Sequence, residues 1–535
     1  MSRKWKIAIG IVIYSAVACA LLGVWKYKLN GEKVQRVWHH ETAAAADTTL
    51  GVAEVPSDYM VDDTFTSHLP LIIIDTGGEE IVNYKVYDEE TQSRVYREGV
   101  DPYVKMEISV IDNPDMVNCL GDTPAIVSDG KIKIRGNYSA SPEFSKMQYL
   151  IKLQTPEGEN NPMEVMGMTA SETWILNGTQ RDESHLRNYI AMNSGGEISP
   201  YTPDMRFCEM VIKHGELYEY MGLYILYEKV EQGEGRVEIE EVSNPISLSD
   251  TSYLLVRDRA NQHGYNISVY STENQNSANW LSLCYPSEKK ITQEYWEYIQ
   301  EDIRQIEEAL YSDDYQEFIG YRTLLDVDSF VDYFIINEFF ANYDAGWNST
   351  YLYKKPDGTL AIGPFWDYDG AMDNYKEELL EIEKTVMQLC PWFDRLVTDE
   401  YFVEKLVERY HDLRQGVLDE DLLQARLEEA ADFIEMPAKR DAVRWNAHYD
   451  GELFIGTEEN TELEIDRNRD TWEEEVVRLG DIIYQHGAYL DSGISDLYRF
   501  VESYSSELYN TVVGVLFIAA FFVSIILVQR ARKGA

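Results

Sequence analysis

An Asp, an Asn and a second acidic pair stand in close order within residues 341–374, ANYDAGWNSTYLYKKPDGTLAIGPFWDYDGAMDN. Their types and order suit phosphoryl transfer. That reaction asks little covalent chemistry of a protein, but it needs a carboxylate to orient the nucleophile and oxygen ligands to fix a divalent metal on the phosphates. Asp344 is the candidate for meeting an acceptor hydroxyl, Asn348 and Asp367 for holding the metal, and Asp369 for assisting them. Ser349 competes with Asn348 for one ligand position, and spacing does not choose between them. A calcium loop of the EF-hand kind does not fit, because Gly370 directly follows Asp369 and no Glu closes the loop. The plain alternative for Asp344 is a loop residue just past a helix, with no chemical role.

The elements around these residues follow from periodicity. Residues 328–342 carry Phe330, Phe334, Ile335 and Phe339 at helical spacing and deliver Asp344 just past the helix end. Residues 349–354 and 360–362 read as two short strands joined by the turn Pro356-Asp357-Gly358, a hairpin that returns Asp367 beside Asn348. Strict alternation then places Trp366 and Tyr368 on the side opposite the two aspartates, as packing residues.

Four blocks in a fixed order resemble the spore-coat CotH kinase family. They are KIKIRGNYSASPEFSKMQYLIKL (131–153), GMTASETWILNGTQRDESHLRNYIA (167–191), YMGLYILYEKVE (220–231) and the 341–374 stretch. The family pattern is an R-G-N-S-S…K segment, a W-x-L…D-x-S-x-x-R-N segment, a G-x-Y-x-L-x-E segment, and an N-x-D, tyrosine-rich hairpin and Gly-Pro-x-W-D-x-D series. The resemblance implies an atypical protein-kinase-like enzyme that uses ATP with Mg or Mn and modifies a hydroxyl-bearing protein acceptor. The sequence has no G-x-G-x-x-G, H-R-D or D-F-G signature, and Met147 stands where the family has the second lysine of a pair.

The cations and acid that would meet a nucleotide come from the earlier blocks. Arg135 and Lys146 flank a Ser- and Asn-rich loop, residues 137–145, that could lie over phosphates with the two cations as counter-charges. Lys152 is the rival phosphate lysine. Glu228, at the end of a strand, is placed either to accept from an adenine amine or to pair with Lys146.

Composition frames the site. With 47 Lys and Arg against 94 Asp and Glu, the net charge of −47 repels nucleic acid, so no such partner is expected. Five cysteines without a C-x-x-C pair and nine histidines without H-E-x-x-H exclude a zinc site of the usual spacing. Two apolar runs, residues 7–25 and 509–528, are long enough to cross a bilayer. The basic tail 529–535 then predicts a two-pass membrane protein with both termini cytoplasmic and the main domain extracellular. The expected order is an N-terminus (1–6), a transmembrane helix, a tether (26–65), a β-rich unit (66–129), a CotH kinase-like domain (130–450), a helical region (451–508), a second transmembrane helix and the tail. The fold class read from this pattern is α+β: a two-lobed kinase-like domain preceded by a small β-rich unit and flanked by two transmembrane helices. Two other classes fit the same sequence: a non-catalytic surface binding or adhesion module, and a scaffold within a membrane complex.

Overall fold

The computed structural model describes residues 36–51, 55–90, 93–141, 144–259, 264–270, 279–374, 382–445, 469 and 471–502. Its first half is a run of strands: β1 Leu71–Asp75, β2 Lys85–Asp88, β3 Ser93–Tyr96, β4 Val104–Ile111, β5 Ile126–Arg135, β6 Gln148–Gln154, β7 Thr173–Asn177, β8 Met205–His214 and β9 Leu217–Glu228. Seven of them close on themselves in the order β9-β7-β6-β5-β4-β1-β8, with β8 pairing back to β9. All neighbours are antiparallel except the parallel pair β1 and β8. Alternation along the strands fills the barrel: Ile72, Ile74, Ile108, Val110, Ile132, Ile134, Ile151, Leu153, Trp174 and Leu176 form one buried cluster inside it.

The fold class read from sequence is corrected here. The protein is a mixed α/β structure built on a closed seven-stranded barrel. The strands expected to form a separate β-rich unit, β1 and β4, are staves of the same barrel as the strands of the first three blocks. A barrel has no edge strands, so closure satisfies backbone groups that a free-standing small sheet would expose. The flanking transmembrane helices and the two-pass placement with an extracellular main domain are corrected too. Among the described residues no helix is long and apolar enough to cross a membrane. The two apolar runs, 7–25 and 509–528, lie outside the described residues. Within the stretch expected as a tether, Trp38, His39 and His40 are buried, and the Trp38 indole donates to Glu197 at 3.1 Å.

The second half combines helices with a five-stranded sheet. Helix α1 spans Arg187–Gly196, α2 Gln293–Leu310, α3 Val327–Phe339, α4 Glu400–Leu413, α5 Glu420–Trp445 and α6 Trp472–Gly493. Thr292, Asp326, Asp399 and Thr471 cap α2, α3, α4 and α6 by accepting from first-turn backbone N–H groups. Asp182 accepts from the Arg187 backbone N–H at 2.9 Å, and α1 begins at Arg187. Strands β10 Leu254–Arg259, β11 Asn266–Ile267, β12 Asn279–Tyr285, β13 Thr350–Lys354 and β14 Leu360–Ile362 pair in the order β11-β12-β10-β13-β14. The β13–β14 hairpin turns at Pro356-Asp357-Gly358 as the sequence predicts, with Gly358 at φ +86°.

Helix α5 locks the helical half onto the barrel. Its Arg440 makes two hydrogen bonds to Glu209 on β8, at 2.9 and 2.7 Å, with both side chains fully buried. Its Asp441 reaches Lys146 and the Leu223 backbone N–H. One apolar core then runs continuously from the outer face of β7, β8 and β9 through all six helices.

Candidate functional site

Segments far apart in the chain meet at one cavity of about 180 Å³. It is lined on one side by Arg135, Gly136, Asn137, Ser139 and Gln148 of the barrel and on the other by Asp258, Arg259, Asp344, Ser349, Tyr351, Trp366, Asp367 and Asp369; Asn177, Arg181, Asn188 and Tyr227 lie between them. The polar character of this lining matches a charged ligand better than an apolar one.

Helix α3 ends at Phe339 and the chain turns sharply at Ala341, φ +48°, which aims Asp344 into the cavity. The Asn342 amide donates to Asn337 Oδ1 at 3.1 Å and to the Asp367 carbonyl at 3.1 Å, so the helix end and the acidic turn are held together. Asn348 Nδ2 donates to Asp344 Oδ1 at 2.6 Å, while its own Oδ1 is buried with no hydrogen-bond partner. Ser349 Oγ donates to Asp367 Oδ2 at 2.8 Å. Asp367 itself is at φ +68°, a conformation costly for a residue with a side chain and concentrated at functional sites. That left-handed residue interrupts strand alternation. As a result Trp366, expected to face away, lines the cavity with Asp367, whereas Tyr368 is fully buried as expected.

Burial raises the Asp344 carboxyl above the usual carboxylate range, opposed by the Asn348 hydrogen bond and the Arg259 guanidinium. Burial also raises Asp367, and the neighbouring Asp344 charge raises it further. Asp258 is raised by burial as well. These acids repel one another across the cavity, which is the situation a bound cation relieves.

The residues present fit a divalent cation of the oxygen-binding kind. The orphaned Asn348 Oδ1 is a hard neutral ligand lacking a partner, on a side chain bonded to the half-buried Asp344 and next in sequence to Ser349, which bonds the half-buried Asp367. Among the described residues no three His, Cys, Asp or Glu side chains are gathered closely enough to form a metal cage. Magnesium characteristically uses one or two carboxylates and takes its remaining ligands from phosphates and water.

Of the nucleotide-contacting residues expected from sequence, Arg135 lines the cavity and Lys146, Lys152 and Glu228 do not. Lys146 is fully buried, with Nζ donating to the Leu223 carbonyl at 2.6 Å and to Asp441 Oδ1 at 2.5 Å. Lys152 projects from the barrel opposite Lys131 in register. Glu228 pairs with Arg236 and accepts from the Asp204 backbone N–H at 3.0 Å, so its cation is Arg236 rather than Lys146. The described part of the 137–145 loop does border the cavity through Asn137 and Ser139.

Sequence reasoning passed over Arg181, Asp258 and Arg259. A signal was present for the last two: β10 reads LLVRDR, an apolar strand whose charges are confined to its end. Arg181 lies inside the second block, next to the Asp182 that ties down α1.

A barrel joined to a helical half, with one acid- and arginine-lined cavity between β5, β10 and the turn after β14, is the frame into which the family comparison falls. The model of the CotH kinase protein family matches residues 132–490, or 359 of the 535 residues. The chain belongs to that family, and its function is kinase-related. Strands β1 and β4 of the barrel precede the matched range. No curated protein matches the chain.

Proposed function

We infer that the protein is a metal-dependent phosphotransferase that moves the terminal phosphoryl group of ATP to a hydroxyl of a protein acceptor. The observation that carries this reading is the half-buried group of Asp344, Asn348 and Asp367, in which Asn348 donates to Asp344, Ser349 donates to Asp367, and the Asn348 amide oxygen is left without a partner. Asn348 and Asp367 would hold Mg or Mn, with Asp369 beside them, and the metal would neutralise phosphate charge as the phosphoryl group leaves. Arg135, Arg181 and Arg259 face the same space and suit phosphate oxygens through planar, forked hydrogen bonding. Asp344 orients the acceptor hydroxyl and takes its proton. Its raised affinity for a proton makes it a better base near neutrality than an exposed aspartate.

The test uses the purified full-length chain with labelled ATP, Mg or Mn and a panel of Ser- and Thr-containing proteins. Transfer should fall by about 10²–10⁴-fold in Asp344→Asn, the range for loss of one general base, while ATP-dependent thermal stabilisation persists. Absence of transfer by the wild type on every acceptor would assign the cavity to a non-catalytic binding module.

A further inference from the structure

The outer face of β5 carries Lys131, Lys133 and Arg135, because alternate residues of a strand share a face and Ile132 and Ile134 point into the barrel. Two tyrosines interleave with these lysines. Lys131 Nζ lies 4.3 Å from the Tyr103 ring centre and Lys133 Nζ 4.6 Å from the same ring; Lys133 Nζ is also 4.2 Å from the Tyr96 ring, which Lys85 Nζ approaches at 4.8 Å from the β2–β3 hairpin. The result is one continuous stack, Lys131–Tyr103–Lys133–Tyr96–Lys85. Lys152 of β6 stands directly across from Lys131, a like-charge pairing that costs stability.

In a chain of net charge −47, these lysines would be expected to find carboxylates. Among the described residues none of Lys85, Lys131, Lys133 or Lys152 makes a salt bridge, although Lys229, on the same side, pairs with Glu231 at 2.9 Å. Burial lowers Lys133 to about 8, with Lys131, Lys229 and Arg135 adding to the effect and Asp101 opposing it. Burial likewise lowers Lys85 to about 8, reinforced by Arg135, Lys133 and Arg94 and opposed by Asp258. The wall is thus a strip of cations stacked on aromatic rings, with Lys85 Nζ also donating to the Arg94 carbonyl at 3.0 Å, and without a salt bridge among the described residues.

The strip leads into the site. Arg135 belongs both to it and to the cavity that holds Asp344. At about 3.3 Å per strand residue, Lys131 is roughly 13 Å further out along β5, the reach of about four residues of an extended peptide. The hairpin that supplies Lys85 and Tyr96 is pinned to the same rim: the Arg94 backbone N–H donates to Asn137 Oδ1 at 2.7 Å, and the Tyr96 hydroxyl to the Ile134 carbonyl at 2.5 Å.

We propose that Lys85, Lys131, Lys133 and Lys152, ordered by Tyr96 and Tyr103, form a subsite for an acidic segment of the acceptor polypeptide, placed a few residues from the hydroxyl that enters the cavity. This rests on the phosphotransferase reading for the word acceptor. Charges spaced along a strand match carboxylates spaced along an extended chain. A nucleotide's phosphates are compact, and the cavity already offers them Arg135, Arg181 and Arg259.

The test is direct binding to the full-length chain without ATP or divalent cation, so that it does not depend on catalysis. Fluorescently labelled peptides carrying one Ser, flanked by Asp and Glu in one and by Lys in the other, are followed by anisotropy at two salt concentrations. The acidic peptide should bind, weaken with salt, and bind at least about tenfold less tightly to Lys131→Glu/Lys133→Glu, whereas the basic peptide should not bind. Lys131→Glu alone, at a half-exposed position, gives the same reading if the double variant fails to fold. Equal binding of the two peptides, unchanged binding to the variants, or displacement of the acidic peptide by ATP alone would overturn the subsite. Acidic-peptide binding with no phosphoryl transfer to any acceptor would keep the subsite and remove the catalytic reading instead.

Discussion

Asn188 Oδ1 accepts the backbone N–H of Tyr368 at 2.7 Å, joining residues 180 positions apart in the chain. The bond fixes the peptide between Asp367 and Asp369, so helix α1 sets where both carboxylates stand. Arg187, one residue earlier, donates to the Ala371 carbonyl at 3.1 Å and pairs with Asp182 and Glu475 at 2.8 and 2.7 Å, all buried. The second and fourth blocks are therefore parts of one device, in which α1 is the clamp and the acidic turn is what it holds.

Asn188→Ala should leave the Tyr368 N–H buried and unpaired, at a cost of about 1–3 kcal/mol in unfolding free energy. Urea denaturation reads that loss. Because the acidic turn loses its anchor, ATP- and metal-dependent stabilisation should shrink in the same variant.

Asp367→Asn keeps the shape of the side chain and removes the charge. If Asp367 holds the metal, Mg-ATP should raise the melting temperature of the wild type and leave that of the variant unchanged, since only a ligand that binds the folded state stabilises it. Equal shifts in the two proteins would remove Asp367 from the metal site.

Lys146 offers the opposite case, a lysine expected on a phosphate and found inside the protein. Lys146→Met should cost about 3–5 kcal/mol by leaving Asp441 buried without its cation, and Lys146→Met/Asp441→Leu should recover much of that. Mg-ATP should stabilise the double variant as it does the wild type.

Glu338 gives a pH signature. Burial raises its carboxyl to about 7, against hydrogen bonds from the Met387 and Val386 backbone N–H groups. The folded state then keeps a proton that the unfolded state has released, so this group's contribution to stability is largest below the unfolded value near 4.5, falls as pH rises toward 7 and levels off above it. The span corresponds to about 3 kcal/mol at most. Glu338→Gln should flatten that part of the profile in urea titrations between pH 5 and 8.

Local chemistry was legible because it is written in short stretches. Strands β5 and β6 alternate, α2 and α3 repeat at helical spacing, and Asp344, Asn348, Asp367 and Asp369 fall within one hairpin and its flanks, where chain connectivity alone keeps them near one another. What lay beyond sequence depends on contacts between distant segments. Pairing of β8 with both β1 and β9 makes a barrel of what reads as two units. The reach of Asp441 from α5 turns Lys146 inward. The positive φ of Asp367 brings Trp366 to the cavity, and the docking of β10 against β13 adds Asp258 and Arg259. Periodicity reports which face of an element is apolar, whereas the neighbour that covers that face, and the charge that meets a buried lysine, are set only when segments far apart in the chain pack together.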